Sequence, residues 1–340
     1  MSRRRSKTKS HGPLVAAILL VLAVAGGLVG LHFWEQADQA REAQEIASRG
    51  EASLPHTLEV WHNGRWYQAR EDLETVLVIG IDKYADRLQN VNEDALWNQL
   101  QSDFLFLLIA DPKAGSYTAL HINRDTLAEI PRIGKDGGML TPAFEQLALS
   151  HTYGTGGKDS CRNSVEAVSR FLYNVPIDHY ISVSMDAVPA LTDLVGGVPV
   201  HVEDDFSAVT DQLPMGADVT LRGDLALTFV RGRWSVADYT NVNRMARQRA
   251  YINSLHDKLH EKLGQSESFA LRLATTLDPY MVSDLITNEM ADLAEQLAGY
   301  TFTGIQTIEG ESKLGARYME FTPDEDALQR QVLNLFFRAK

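Results

Sequence analysis

The chain has 340 residues, a formal net charge of −13, 44% hydrophobic residues and one cysteine, Cys161. A single thiol excludes an intrachain disulfide and a Cys-based zinc site. The acid excess excludes any general attraction of anions, so an anion site here must focus its positive charge locally.

The N-terminus sets the expected compartment. Residues 1–12 form a basic tail with Arg3, Arg4, Arg5, Lys7 and Lys9, and residues 13–33 follow without a formally charged side chain. A run of about 20 apolar residues spans a bilayer, and basic flanks stay cytoplasmic. The pattern predicts a single-pass anchor in the cell membrane, with the N-terminus inside and the rest extracytoplasmic. Ala23-Val24-Ala25 offers the rival reading of a cleavable signal peptide. The apolar run continues beyond it to Phe33 and meets Trp34, which favours retention. Residues 34–56, rich in Ala, Glu, Gln and Arg, read as a stalk or linker.

Beyond the stalk, residues 57–74 contain Asn63-Gly64 between β-favouring residues, a strong hairpin signal. Thr75 to Ile81 is a continuous apolar run, as in a strand buried on both faces, with Asp82 at its end. A helix is expected over Glu93 to Gln101, then strands over Phe104 to Ile109 and Tyr117 to Ile122. Helices are expected over Phe144 to Ser150 and Asn163 to Leu172, flanking a loop with Gly154, Gly156 and Gly157. His179 to Ser184 reads as a strand, and Val188 to Val195 as a helix that stops at Gly196-Gly197. Val198 to Val202 is the next strand. Helix is expected from the arginine segment to Gly299, strands at Thr307-Ile308 and Tyr318 to Phe321, and a closing helix over Asp324 to Arg338. Alternating strands and helices predict an α/β domain over residues 75–340, a mixed central sheet with helices on both faces.

The densest chemistry is a run of arginines: Arg231, Arg233, Arg244, Arg247 and Arg249. Arg244, Arg247 and Gln248 stand at i, i+3 and i+4, on one face of a helix. Forked guanidinium donors grip phosphate oxygens bidentately, although an arginine run alone is more often a solvated face paired with acids. Asp82 ends a strand and Asp103 begins one; whether they meet depends on strand direction. Together they would suit Mg2+, which takes oxygen ligands and keeps water. In Arg124-Asp125, the acid is placed to orient the arginine. The loop from His151 to Gly157 is a weak candidate for a backbone anion cradle. No phosphate-binding Gly-Lys-Ser/Thr loop, Gly-x-Ser-x-Gly elbow or His-Glu-x-x-His helix is present, so nucleotide-hydrolase, serine-hydrolase and zinc-protease readings lack their marks.

Taken in order, these pieces resemble the LytR-CpsA-Psr family of envelope enzymes. The resemblance is carried by Leu77-Val-Ile-Gly-Ile-Asp82, Ser102-Asp103, Arg124-Asp125-Thr126, His151-Thr-Tyr-Gly154 and Pro176-Ile-Asp-His-Tyr-Ile181. It continues through Asp193-Leu-Val-Gly-Gly-Val-Pro-Val200, Ala226-Leu-Thr-Phe-Val-Arg231 and Arg244-Met-Ala-Arg247-Gln248. The resemblance implies a phosphotransferase that moves a glycopolymer, such as teichoic acid or capsule, from a polyprenyl-pyrophosphate carrier to peptidoglycan. It implies Asp82 and Asp103 as ligands of Mg2+ or Mn2+. It implies Arg124, Arg231, Arg244 and Gln248 as pyrophosphate-binding groups, with Arg233 and Arg247 beside them and Asp125 and Asp238 in support. Asp82, Arg124 and Arg244 are the expected catalytic residues. The membrane is an expected partner and nucleic acid is not.

The chain departs from the family pattern in four places. Asn123 stands where Pro is frequent, and Ala148 where a Lys often precedes the His-x-Tyr-Gly motif. The stretch from Asp82 to Asp103 is longer than usual, and Asp238 lies farther from Arg244. Two other functions use the same residues: a lipid-pyrophosphate phosphatase, with water as acceptor, and a non-catalytic polyprenyl-phosphate-binding regulator.

Overall fold

The structure, a computed structural model, describes residues 59–82, 98, 100–134, 136–232, 236, 241–266, 268–315 and 317–340. The expected span over 13–33, the stalk, most of the expected helix over 93–101, Arg233 and Asp238 lie outside them. Among the described residues no helix is long and apolar enough to cross a membrane.

The hairpin forms as expected, β1 (Glu59–His62) and β2 (Arg65–Ala69). Asn63 and Gly64 both have positive φ, at 48° and 79°, the conformation a two-residue turn needs. The hairpin is not an appendage: β15 (Phe337–Ala339), at the C-terminus, pairs with β2 as a third strand. That pairing ends the closing helix at Phe336, so Arg338 is extended where the sequence suggested helix.

The central sheet has six strands in the order β11-β8-β3-β4-β5-β12. Its members are β3 (Glu74–Ile81), β4 (Ser102–Asp111), β5 (Ser116–Ile122), β8 (His179–Ser184), β11 (Met281–Ser283) and β12 (Thr301–Thr307). β3 and β5 both run antiparallel to β4, whereas β8 is parallel to β3 and β12 to β5, so the sheet is mixed. Leu77, Leu107 and Leu120 share one face by register. That face packs on α1 (Lys158–Phe171), through Cys161, Ala167 and Val168, and on α7 (Glu325–Phe336), through Leu328 and Val332. On the opposite face Tyr117 lies 6.1 Å, ring to ring, from His256 of α4 (Asn241–Gln265). A second core joins α4, through Tyr251 and Leu255, to α3 (Gly223–Arg231) and to β9 (Val198–His201), which pairs with β10 (Asp218–Leu221). α2 (Ala187–Leu194) packs on this core and ends at Gly196-Gly197, both with positive φ. α5 (Phe269–Leu277) and α6 (Thr287–Ala298) complete the helices among the described residues.

Several expectations are corrected. Phe144 to Gln146 belong to β7 (Met139–Gln146), paired with β6 (Leu127–Ile133), and a 3-10 turn over Leu147–Thr152 replaces the expected helix. The sequence hides both strands. Pro131 accompanies a register shift between Ile130 and Arg132, and β7 is largely exposed, so no alternation marks it. Residues 98, 100 and 101 are not helical. The expected strand over Tyr318 to Phe321 forms as β14 (Met319–Pro323), whereas Thr307 is the last residue of the longer β12, β13 (Gly310–Leu314) is unexpected, and β11 interrupts the expected helical stretch.

Candidate active site

Strand direction answers the question that Asp82 and Asp103 left open. Because β3 and β4 are antiparallel, with Ile81 opposite Ser102, the end of β3 and the start of β4 coincide. β5 ends at the same edge, ahead of Asn123, Arg124, Asp125 and Thr126. Open α/β sheets collect ligands at such edges. Gly80 lets the strands close here: a Cβ on it would come 2.7 Å from Phe104 Cβ. α3 supplies Arg231 as its last residue, and α4 supplies Asn241 and Arg244 in its first turn.

At this edge arginines and acids interlock. Arg124 is ion-paired with Asp103, its Nε lies 3.3 Å from Asp125 Oδ1, and its Nη2 donates to Gln101 Oε1 at 2.8 Å. Asp125, 3% exposed, also accepts from Gln146 Nε2 at 3.2 Å, so the acid that orients Arg124 is itself held. Arg231 Nη2 donates to Asp82 Oδ1 at 2.8 Å, with about half of the arginine side chain exposed. Arg244, 5% exposed, donates from Nε to Asn241 Oδ1 at 2.8 Å and from Nη2 to the Asp103 carbonyl at 3.2 Å. Asn241 Nδ2 in turn donates to Asn123 Oδ1 at 2.9 Å. Asn123, the departure from the family's Pro, therefore links β5 to α4.

Arg247 and Gln248 sit differently. Arg247 is ion-paired with Asp204, donates from Nε to the Phe229 carbonyl at 3.1 Å and from Nη2 to the Gly232 carbonyl, and lies over the Phe206 ring. Gln248 Nε2 reaches the Val230 carbonyl at 3.4 Å. The last carbonyls of a helix have no partner within it, and a cation is favourable there. These two side chains satisfy the end of α3, and so fix the residue that ends it, Arg231.

The His151 to Gly157 loop uses its N–H groups internally. Gly154 N donates to the Ile133 carbonyl at 2.8 Å, Thr155 N to Asp159 Oδ2 at 2.8 Å and Gly156 N to Ser160 Oγ at 2.9 Å. Ala148 is buried, and its N–H supports the Arg124 carbonyl at 2.9 Å. The 3-10 turn that leads into the loop thus braces the strand end that carries Arg124.

Sequence reasoning missed Gln101, Asn241, Gln146 and Asp204. Asn241, three residues before Arg244 at a helix start, carried a local signal; the other three meet their arginine or acid only through tertiary packing. Among the described residues no three His, Cys, Asp or Glu side chains converge as a metal cage. Asp82 and Asp103, each partly accessible, are the carboxylates at this edge that could hold a cation such as Mg2+, which takes oxygen ligands and keeps water.

Comparison with known proteins supplies the family and the fold. The family model described as the LytR_cpsA_psr family matches residues 33–334. A protein of Enterococcus faecalis named polyisoprenyl-teichoic acid–peptidoglycan teichoic acid transferase TagU is 27% identical over 292 residues, covering 85% of this chain and 84% of that one. A Bacillus cereus protein of the same name is 32% identical over 244 residues, covering 72% and 69%. The crystal structure of B. subtilis TagV superimposes with a TM-score of 0.58 at 24% identity, over 78% of this chain and 96% of that one, and shares the fold. By its ordered motifs, its mixed sheet and these matches, the chain belongs to the LytR_cpsA_psr family.

Proposed function

We propose that this protein is a membrane-anchored extracytoplasmic phosphotransferase that moves a glycopolymer from a polyprenyl-pyrophosphate carrier to peptidoglycan. The observation that carries the reading is the convergence of Arg124, Arg231 and Arg244 with Asp82 and Asp103 at one sheet edge. Its relatives' names, teichoic acid transferases acting between a polyisoprenyl carrier and peptidoglycan, support the same reaction class.

An incoming pyrophosphate competes with Asp82 and Asp103 for the guanidinium groups. Arginine forks match phosphate oxygens, and the exchange is favoured as the donor excludes water. Asp125 and Gln101 keep Arg124 oriented through it, and Arg247 with Gln248 hold the helix end that carries Arg231. Asp82 and Asp103 would hold Mg2+ or Mn2+, which when bound neutralises charge on the phosphate oxygens. A sugar hydroxyl of the wall attacks the outer phosphorus in line, its proton passes to Asp82, and the lipid monophosphate leaves. Positioning and charge stabilisation do most of the work in such transfers.

The basic tail over residues 1–12, the span over 13–33 and the stalk over 34–56 tether the domain at the outer leaflet, where the donor resides. Tethering raises effective concentration without new contacts. The full chain in detergent, given a short-chain lipid-pyrophosphate sugar donor and uncross-linked peptidoglycan glycan, should attach sugar phosphate to the glycan and release lipid monophosphate. Equal cleavage with and without glycan, with nothing attached, would make it a phosphatase. In wall-stripped cells, external protease should remove the domain; protection would overturn the location.

A further inference from the structure

We infer that a cavity beside the arginine site is a saccharide-binding subsite that seats the acceptor glycan, an inference that rests on the transferase reading. The cavity, of about 470 Å³, lies between the end of β5, the first turns of α4 and the loop joining β12 to β13. This is a size typical of ligand sites. Asn123 forms part of its wall and reaches Arg244 through Asn241, so the cavity adjoins the phosphate-binding edge.

Two side chains on its wall are unsatisfied within the protein. His121 is 1% exposed, and its Nδ1 has no hydrogen-bond partner among the described residues. Buried polar groups are almost always paired, so an orphan on a cavity wall points to a ligand. Arg249 is half-buried and has no ion pair or hydrogen bond among the described residues. Burial, with the Arg249 and Arg244 charges, holds His121 neutral, its pKa pushed down to about 3. Around them stand Glu309 and Glu311 as acceptors and Val242, Met245 and Phe321 as an apolar wall. A forked donor, carboxylate acceptors and a neutral imidazole suit ring hydroxyls, while the apolar wall suits the C–H face of a sugar.

Charge chooses the acceptor over the donor polymer. Glu309, Glu311 and Asp324 line the cavity against Arg249 alone, and Glu311 is ion-paired with Lys313 at 2.5 Å. Acids still outnumber cations, which disfavours a phosphate-bearing chain and admits a neutral glycan.

The test uses full-length protein and two variants, Arg249→Ala and Glu309→Gln, both at positions with solvent access. A hydrogen bond to a charged group contributes enough that each variant should raise the KM for uncross-linked glycan about tenfold or more. The KM for the lipid-pyrophosphate donor should stay within about twofold. Calorimetric titration of a soluble glycan fragment into donor-free protein should show the same weakening. Unchanged glycan affinity in both variants would overturn the subsite, and so would a rise confined to the donor KM. Wild-type protein that binds the fragment, with binding lost in the variants, yet passes its polymer only to water keeps the subsite and refutes the transferase reading.

Discussion

The arginine edge and the cluster around His151 are both buried and polar, and both are carried by short motifs, but they are built from different chemistry. The His151 cluster is neutral and is held by hydrogen bonds among its own side chains and backbone, although His151 Nδ1 and Asn163 Oδ1 have no partner among the described residues. Asn98 Nδ2 donates to the His151 carbonyl at 2.9 Å and to Ser160 Oγ at 3.0 Å, Asn163 Nδ2 to the Ser150 carbonyl at 2.7 Å, and Ser150 Oγ to Ser164 Oγ at 3.0 Å. Burial pushes the His151 pKa down to about 4 and the Cys161 thiol up to about 12, so both are uncharged near neutral pH. At the sheet edge, by contrast, Arg124 and Arg231 are paired with acids that stay partly accessible. An arriving phosphate can replace a carboxylate in such a pair; a neutral cluster offers it no carboxylate to replace. Burial with motif residues therefore marks both a scaffold and a site, and exchangeable charge separates them.

Six substitutions and one titration sharpen that contrast. Arg244→Ala and Arg124→Ala should each lower transfer about a thousandfold, the scale of losing a donor to developing transition-state charge, while thermal melts show a folded domain. Arg244→Lys should also fail substantially, because an ammonium lacks the fork. Wild-type rates in both Ala variants would remove the site from this edge.

Arg247 tests the boundary between the two regions, since it lies in the arginine run but is engaged like scaffold. Arg247→Ala leaves Asp204 and two helix-end carbonyls without their partner, and should lower stability by about 3 kcal/mol in urea titrations. Residual folded protein should keep its donor KM. A raised donor KM with unchanged stability would make Arg247 a phosphate ligand after all.

Asp82→Asn should cost about a hundredfold in rate at fixed Mg2+, and a chelator should silence the wild type reversibly. Full activity of the variant in metal-free buffer would end the metal role. On the scaffold side, Asn98→Ala strands several buried partners and should cost about 2 kcal/mol with kinetic constants unmoved.

The smallest effect is a pH slope. Both His121 and His151 have folded pKa values below the unfolded value, so below about pH 6.5 the unfolded chain binds more protons. Each ring's contribution is complete above pH 6.5 and is lost toward acid at up to about 1.4 kcal/mol per pH unit, until about pH 4 for His151. Urea midpoints at pH 7, 6 and 5 should fall in that order; a flat profile would mean the rings are solvated or already charged.

The central strands were legible because β3, β5 and β8 are continuous or alternating apolar runs, a pattern that burial imposes locally. The hairpin at Asn63-Gly64 and the stop of α2 at Gly196-Gly197 were legible because positive φ selects few residues. β6 and β7 were not, since a Pro-interrupted strand and its exposed partner lack any period. The short β11 and β15 likewise exist only through pairing with β8 and β2.

For the site, the sequence by itself determined which side chains are the candidates for the chemistry: the arginines of the run, Arg124-Asp125, and two acids at strand ends. Tertiary structure decided which of them meet. The antiparallel β3–β4 pairing brought Asp82 and Asp103 to one edge, and the packing of α4 against α3 engaged Arg247 while leaving Arg249 on a cavity wall. The reason is physical. Residue type and local period are fixed by neighbours along the chain, whereas strand direction and the partner of a buried charge are fixed by contacts between segments far apart in sequence.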